Sequence, residues 1–233
     1  MKAIILAAGR GVRMNPLSNN KPKCLFEVRG EPAILRQLRL LNDIGIEDIV
    51  TVVGFEAEQV REAVGKRAKY IYNPYYRDSS SIYSLWRSKE EMDDNLLILN
   101  SDIVYTREFL ASLLEAAKTH LLICLPINTK QPFEEIDVGV QIEGNKVTRV
   151  DKNLPKEFCY AGSVDGLFVT RESLGRLKKV MNALLKVSLS EGGIYSLKNR
   201  LASEEPLDFR DVGNTCRDFD TVEEYKRVWE LFG

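Results

Sequence analysis

Short apolar runs alternate with segments of helical periodicity through the first half of the chain. Lys2–Leu6 is a compact apolar run that ends in a glycine-rich turn, and Ala33–Ile44 carries apolar residues at helical spacing. The segments that follow are predicted, in order, as strand Asp48–Val53, helix Glu56–Val64, strand Lys69–Tyr72, helix Ser81–Met92, strand Leu96–Leu99, helix Phe109–Lys118 and strand Leu121–Leu125. This order predicts a mainly parallel sheet covered by helices, with ligands bound beyond the carboxyl ends of the strands. Two Gly- and Asp-rich turns, residues 7–13 and 100–102, lie at such ends.

The second half is less regular. Its predicted elements are strands Asp137–Ile142, Lys146–Asp151 and Ser163–Val169, and helices Ser173–Leu185, Gly192–Leu201 and Thr221–Phe232. No linker or repeat separates the halves, so residues 1–233 are predicted to form one domain. The predicted fold class is α/β, a Rossmann-like three-layer sandwich with a mixed, mainly parallel sheet and a small additional lobe.

Composition and charge narrow the function classes. The 233 residues are 44% hydrophobic and carry a formal net charge of -1, which is not typical of a nucleic-acid or membrane-surface binder. The amino-terminal apolar run Ala3–Ala8 is too short for a signal peptide, which predicts a cytoplasmic protein. The four cysteines are far apart and there is a single histidine, so a zinc site is not expected.

The strongest chemical signal is residues 6–25, LAAGRGVRMNPLSNNKPKCL. Small residues after a strand let backbone N–H groups approach phosphate oxygens closely, and Arg13 and Lys23 supply cations. A Walker loop is excluded because no G-K-[ST] is present, and a dinucleotide fingerprint is excluded because Met14 occupies the third glycine position. The pattern indicates triphosphate binding, and an ordinary strand-to-helix turn with surface cations is the open alternative.

This segment resembles the signature of the nucleotidyltransferase family that contains sugar-1-phosphate nucleotidylyltransferases and phosphocholine cytidylyltransferases. The matching residues are Leu6, Ala7, Ala8, Gly9, Gly11, Arg13, Met14, Pro16, Leu17, Lys21, Pro22 and Lys23, with Ser18 in place of the usual threonine. The resemblance implies that residues 6–9, Gly11 and Arg13 bind the triphosphate and that Lys23 neutralises charge near the α-phosphate. It further implies a nucleotide-binding half, residues 1–125, and an acceptor-binding half, residues 126–233.

Two acidic positions also fit the resemblance. Asp102 follows the buried run Leu96–Leu99, where the family has a magnesium ligand, and Ser101 precedes it as part of the nucleotide site. Asp220 opens the last helix in a D-T-x-E-E-Y pattern and is implied as the second Mg²⁺ ligand, with Asp218 as the alternative. Turn and helix-capping roles remain open for these acids. With Arg13 and Lys23, Asp102 and Asp220 are the implied catalytic residues.

The residues that bind the nucleotide base and the acceptor are predicted from weaker sequence signals. Residues 73–86, NPYYRDSSSIYSLW, resemble the corresponding stretch of cytidylyltransferases that act on phosphocholine and amino-phosphonates. Ser79, Ser80 and Ser81 are the candidate contacts to cytosine, with helix capping as the alternative. Acceptor-binding candidates are Lys152, Tyr160, Asp165 and Tyr195. Phe133 and Phe168 complete the candidates for an aromatic cage around a quaternary ammonium, and Glu134 and Glu135 join Asp165 as candidates for binding an amine.

Three functions are therefore carried forward. The first is transfer of CMP from CTP to phosphocholine or a related amino-alcohol phosphate or phosphonate; the second is a sugar-1-phosphate nucleotidylyltransferase; the third is a non-catalytic nucleotide-binding regulatory subunit. Attack by a phosphate that is already ionised requires no general base, which agrees with a chain whose one histidine, His120, lies in no motif and is expected to be structural. The sequence leaves the oligomeric state open.

Overall fold

The computed structural model describes residues 1–14, 20–119 and 122–232. Pro16, Leu17 and Ser18 of the signature, His120, and Leu121 of a predicted strand lie outside these ranges. The helices are α1 (Ala33–Asp43), α2 (Ala57–Val64), α3 (Ser81–Arg87), α4 (Arg107–Lys118), α5 (Leu174–Val187), α6 (Ile194–Glu204) and α7 (Val222–Phe232). The strands are β1 (Lys2–Ala7), β2 (Glu27–Val28), β3 (Glu31–Pro32), β4 (Asp48–Val53), β5 (Lys69–Tyr72), β6 (Leu96–Asn100), β7 (Ile103–Tyr105), β8 (Ile123–Asn128), β9 (Gly139–Glu143), β10 (Lys146–Asp151), β11 (Ala161–Ser163), β12 (Leu167–Val169), β13 (Asp208–Asp211) and β14 (Cys216–Asp218).

One large mixed sheet organises the molecule. β1 lies between β4 and β6 and is parallel to both, and β5 extends the parallel pairing beyond β4. β12 is antiparallel to β6 and β8, β11 is antiparallel to β8 and β9, and β10 is antiparallel to β9, while β13 is parallel to β8. Within this sheet only β10, β11 and β12 therefore oppose the common strand direction. Two short ribbons lie outside it, β7 with β14 and β2 with β3.

Alternate residues of the central strands face opposite helical layers. Ile4 and Leu6 of β1 belong to a core that includes side chains of α3, α5 and α6. Ala3 and Ile5 belong to a second core that includes side chains of α1, α2 and α4. Because a strand's side chains alternate between its two faces, a strand buried on both faces becomes apolar throughout, as Lys2–Ala7 is after its first residue. The predicted three-layer α/β fold is confirmed.

Some predicted element boundaries were wrong. The helix expected over Ser81–Met92 ends at Arg87, because Ser88 turns out of it and donates its Oγ hydroxyl to Leu85 O at 2.6 Å. The single strand expected over Ser163–Val169 is interrupted at residues 164–166, where Gly166 adopts a φ of +122°. A bulge of this kind redirects a side chain that regular alternation would fix, here Asp165. The short strands β7, β13 and β14 were not predicted.

No helix within the described ranges is both long enough and apolar enough to cross a lipid bilayer.

Candidate active site

A glycine elbow follows the central strand β1. Gly11 adopts a φ of +56°, a conformation that side-chain-bearing residues rarely take, and a Cβ at this position would lie 3.1 Å from Lys23 Cβ. A Cβ at Gly9 would meet no atom within 4 Å, so the main chain there faces open space. The elbow thus keeps Lys23 close while leaving its own backbone accessible to a ligand.

Four charged side chains meet beside this elbow. Lys23 Nζ donates to Asp102 Oδ2 at 2.7 Å and also to Asp220 Oδ1, and Arg13 Nη2 donates to Asp220 Oδ2 at 2.5 Å. Asp102 follows β6, the strand next to β1, whereas Asp220 follows β14. The pairing of β14 with β7 brings Asp220 to this edge, and Phe219 N donates to Asp102 O at 3.3 Å. Residues more than 200 positions apart in sequence therefore share one charged centre.

The charges of this centre support one another. Burial lowers the pKa of Lys23, but the Asp102 and Asp220 carboxylates outweigh burial, so the net pKa is raised. For Asp220, burial raises the pKa, and Lys23 and Arg13 outweigh it, so the net pKa is lowered. Lys23 is thus held as a cation and Asp220 as an anion at neutral pH.

Asp218 lies two residues before Asp220 and behaves differently. Its side chain is exposed on the wall of the adjoining cavity, although nearby protein atoms reduce its hydration. The pKa of Asp218 is raised to about 7. Desolvation is the largest cause, and the nearby carboxylates of Asp165, Asp102 and Asp220 add to it. Among the described side chains no cation forms an ion pair with it. Asp220, which two cations contact, is the more strongly ionised of the two.

The elbow and the charged centre line one cavity of about 290 Å³, which we call the elbow cavity. All the residues predicted to bind nucleotide lie on its wall: Leu6, Ala7, Ala8, Gly9, Gly11, Arg13, Lys23, Ser79, Ser80, Ser81 and Ser101, together with Asp102 and Asp220. Ser80 precedes α3, but its side chain does not cap the helix. Its Oγ is buried and has no hydrogen-bond partner. The structure therefore brings together every predicted nucleotide-binding position.

A second cavity of about 540 Å³, the acid-lined cavity, adjoins the first. Acidic residues outnumber basic ones on its wall, and they are Glu134, Glu135, Asp137, Asp165, Asp218, Asp220 and Glu224 against Lys152, Arg217 and Arg227. Of the predicted acceptor residues, Lys152, Asp165 and Tyr195 line it. Lys152 Nζ lies 2.9 Å from Asp137 Oδ2 and 5.3 Å from the centre of the Tyr195 ring.

Three of the aromatic residues considered for a cage do not line this cavity. Tyr160 is 59% exposed and points elsewhere, Phe168 is fully buried in the core, and Phe133 lies over Lys156, outside the cavity wall. Tyr195 is the aromatic residue among the described side chains of the wall. The structure does not assemble the aromatic cage that a quaternary ammonium would require.

Sequence reasoning missed two supporting residues beneath the acid-lined cavity. Lys198 of α6 is 1% exposed and donates from Nζ to Val164 O at 2.6 Å and to Ser163 Oγ at 3.3 Å. Burial lowers its pKa to about 8, against the opposing effect of Asp165. Asn100 donates from Nδ2 to Asp165 Oδ2 at 2.6 Å. These contacts hold the interruption between β11 and β12 that turns Asp165 toward the cavity.

The two cavities share a wall. Ser81, Asn100 and Asp220 line both of them. A ligand in the elbow cavity and a ligand in the acid-lined cavity would therefore meet next to Asp220 and the charged centre. This arrangement suits a reaction that joins two bound molecules.

Two carboxylates are available to hold a metal at this junction. Asp102 and Asp220 already converge on one cation, the Lys23 ammonium, and Asp102 Oδ1 is buried without a hydrogen-bond partner. No cluster of three or more potential ligands occurs in the described ranges of the chain. Two carboxylates fit a magnesium ion, which usually takes one or two from protein and completes its shell with water and substrate phosphates.

Sequence comparison finds curated relatives of this chain. Choline-phosphate cytidylyltransferase of Streptococcus pneumoniae (strain ATCC BAA-255 / R6) is 38% identical over 112 residues, which cover 47% of this chain and 48% of that protein. The bifunctional IPC transferase and DIPP synthase of Aquifex aeolicus (strain VF5) is 29% identical over 233 residues, 97% of this chain and 50% of that protein. The chain thus spans about half the length of these curated relatives.

The fold is also found in solved structures. The structure of CTP:phosphocholine cytidylyltransferase from Streptococcus pneumoniae has a TM-score of 0.77 at 23% identity, covering 100% of this chain and 99% of that one. At that identity the likeness concerns the fold. The profile of the MobA-like NTP transferase domain matches residues 3–185, which include β1, the elbow and β6. The chain therefore belongs to the family of MobA-like NTP transferase domains.

Proposed function

We propose that the chain transfers CMP from CTP to a small phosphorylated acceptor, an amino-alcohol phosphate or phosphonate, and releases pyrophosphate. The observation that carries the proposal is the charged centre of Arg13, Lys23, Asp102 and Asp220 at the wall between two cavities. One cavity offers a glycine elbow suited to phosphates, and the other is rich in carboxylates. In this proposal residues 1–125 form most of the nucleotide-binding half and residues 126–233 most of the acceptor-binding half.

In the elbow cavity, the accessible backbone at Gly9 and Gly11 and the cations Arg13 and Lys23 would bind the triphosphate. Both cations are paired with carboxylates in the structure, so nucleotide binding exchanges those partners for phosphate oxygens. Asp102 and Asp220 would hold Mg²⁺, which when bound neutralises phosphate charge. Positioning and charge stabilisation then carry the catalysis.

In the reaction, an oxygen of the acceptor phosphate forms a bond to the α-phosphorus of the nucleotide as the bond to the pyrophosphate oxygen breaks. The acceptor needs no general base, because the second pKa of a phosphate monoester is about 6 and the attacking oxygen is already ionised. Asp220 lies on the wall that both cavities share, so an acceptor in the acid-lined cavity would lie close to the charged centre that is proposed to bind the phosphates. The outcome is a CMP-linked acceptor.

Carboxylates in the acid-lined cavity favour a cationic acceptor. Asp165 accepts a hydrogen bond from Asn100 and lines this cavity, and Lys152, which is paired with Asp137 in the structure, would exchange that partner for the acceptor phosphate. A sugar 1-phosphate has no positive charge on its sugar and would leave the surplus carboxylates without a partner. This difference favours an amine-bearing acceptor over a sugar 1-phosphate.

A substrate matrix tests the proposal. CTP, UTP, ATP and GTP are each combined with phosphocholine, aminoethylphosphonate and several sugar 1-phosphates in the presence of Mg²⁺, and pyrophosphate release is measured. We expect turnover with CTP and an amine-bearing acceptor. Turnover of UTP with a sugar phosphate, and none with CTP, would replace the proposal by a sugar-nucleotide synthase. Tight nucleotide binding without pyrophosphate release in any combination would indicate a regulatory subunit.

A further inference from the structure

A buried asparagine lies behind the serine-rich wall of the elbow cavity. Asn73 follows β5, is 0% exposed, and donates its backbone N–H to Val53 O at 2.8 Å. Its Oδ1 accepts the backbone N–H of Tyr75 at 2.9 Å. Because a backbone N–H can only donate, this contact fixes which end of the side-chain amide is oxygen and which is nitrogen. The amide nitrogen must then face the serines.

Asn73 gives both of its amide hydrogens to serine hydroxyls. Nδ2 lies 3.0 Å from Ser79 Oγ and 2.9 Å from Ser84 Oγ. A hydroxyl has one proton, so a serine that accepts from Asn73 directs its own proton elsewhere. Neither hydroxyl donates to a protein acceptor in the parts of the chain that the structure describes. Both serines line the elbow cavity, so two hydroxyl donors remain there for a ligand.

Ser80 adds a third free hydroxyl to the same wall. The backbone N–H of Ser80 donates to Leu189 O at 2.7 Å, which fixes the position of the residue. Ser80 is 8% exposed. Its Oγ is buried and has no partner, although it lies on the wall of a cavity. A buried hydroxyl without a partner has lost its hydrogen bonds to water, and a ligand atom would restore one. Ser79, Ser80 and Ser84, which we call the serine wall, can therefore donate hydrogen bonds to polar atoms of a ligand.

The serine wall lies at the end of the elbow cavity formed by α3 and the loop before it, whereas the phosphate-binding elements come from the loop after β1 and from Lys23. In a nucleotide whose phosphates occupy the elbow, the base extends toward the serines. Cytosine presents two adjacent acceptors on its pairing edge, N3 and O2. Uracil presents a donor at N3 between two acceptors. Two neighbouring hydroxyl donors match the adjacent N3 and O2 acceptors of cytosine, whereas with uracil one of the donors would face the N3–H donor.

We infer that Asn73 is a positioning residue that sets Ser79 and Ser84 as donors toward the base and thereby selects CTP over UTP. The inference rests on the proposed function, which supplies the nucleotide substrate. Asn73 makes no contact with the base in this assignment. It acts by determining the direction of the serine hydrogen bonds.

The decisive variant is Asn73→Asp, which keeps the size of the side chain. One carboxylate oxygen still accepts from Tyr75 N, but the other can only accept, so it draws the serine protons away from the cavity. Ser84→Ala removes one donor with a smaller change in the core. Ser88→Ala is the matched control, because Ser88 is a buried serine at the end of the same helix that bonds Leu85 O and does not line the elbow cavity.

The experiment measures the equilibrium affinities of CTP and UTP for the full chain with Mg²⁺ by isothermal titration calorimetry. We expect the wild type and Ser88→Ala to bind CTP about tenfold or more tightly than UTP. The CTP-to-UTP preference should fall to about threefold or less in Asn73→Asp, which redirects both serines, and to about fivefold in Ser84→Ala, which removes one donor. In both variants the loss should be in CTP affinity. A ratio of the two affinities is insensitive to the fraction of folded protein, and Ser84→Ala keeps the test valid if Asn73→Asp does not fold.

The outcomes separate this inference from the proposed function. A wild type that prefers CTP, with an unchanged ratio in both variants, would overturn the role of Asn73 and leave the proposed function intact. Equal loss of CTP and UTP affinity would mean that the serines contact ribose or phosphate, and would also overturn it. A wild type that prefers UTP would refute the proposed nucleotide itself.

Discussion

The elbow cavity and the acid-lined cavity share a wall but are constructed differently. The first is formed mainly at the carboxyl ends of the parallel strands β1 and β6, with main chain and small residues facing the ligand space. The second is formed by side chains from antiparallel strands, loops and the start of α6, which are distant in sequence. Phosphates can be bound by backbone N–H groups, which do not depend on particular side chains. An acceptor, in contrast, has to be recognised by particular side chains.

The largest expected effect tests the charged centre on which both cavities depend. Asp102→Asn should lower kcat about 10³-fold, equivalent to about 4 kcal/mol, because an amide no longer supplies a negative ligand for Mg²⁺. The exchange preserves size, so the denaturant midpoint should change little. Steady-state pyrophosphate release and a urea titration measure the two effects.

Asp43→Asn, at an exposed position at the end of α1, is the control for loss of one carboxylate. The same change at residues 218 and 220 separates the two candidates for the second metal ligand, and the larger loss is expected at Asp220. Near-normal turnover of Asp102→Asn would remove that residue from the mechanism.

The second expected effect concerns the support of the acid-lined cavity. The pKa of Lys198 is lowered from 10.5 to about 8 in the folded protein. Between these values the unfolded chain binds more protons at this lysine than the folded chain, so its contribution to the free energy of unfolding rises with pH. Lys198→Met should lack this increment, of about 2 kcal/mol from about pH 8 to about pH 10.

Urea unfolding of wild type and Lys198→Met at several pH values in that range measures the difference. Lys179→Met serves as the control because Lys179, on α5, is exposed to solvent. Parallel pH profiles for wild type and Lys198→Met would show that Lys198 titrates as an exposed lysine does.

The smallest expected effect distinguishes the two cavities directly. Asp165→Asn should raise KM for an amine-bearing acceptor about tenfold and leave KM for CTP within about twofold, because it removes one negative charge from the acid-lined cavity only. Initial rates with each substrate varied in turn measure both constants. Glu157→Gln, an exposed charge change in the same half, is the control. An equal rise in both constants would mean that the cavities do not divide the substrates as proposed.

The sequence allowed most of the elbow cavity to be predicted, for physical reasons. The carboxyl ends of parallel strands lie at one edge of a sheet, so the turns after β1 and β6 were expected at the same edge. The observed pairing of β1 with β6 makes these turns neighbours and brings Lys23 and Asp102 into contact. Asp220 could be assigned only by resemblance, because it is positioned by β7 and β14, each three residues long and too short to show a pattern.

The acid-lined cavity could be predicted only in part. Tyr160 and Asp165 were equally plausible acceptor-binding residues from the sequence. The interruption at residues 164–166 turns Asp165 toward the cavity, whereas Tyr160 lies on the surface. Lys198 has no distinguishing sequence signal, since a lysine on an amphipathic helix is usually exposed. Asn73 begins the stretch that resembles cytidylyltransferases, but nothing in the sequence predicts that it is buried. Their roles come from the acceptors and donors that tertiary packing places around them.

The wall shared by the two cavities restricts how such a protein can acquire a new substrate. A substitution at Ser81, Asn100 or Asp220 alters the surroundings of both substrates at once, and is therefore expected to be costly. Positions such as Gln131 and Tyr195 line the larger cavity alone. If the proposed function holds, evolutionary change of the acceptor is most accessible at positions that line that cavity alone, where the nucleotide is unaffected.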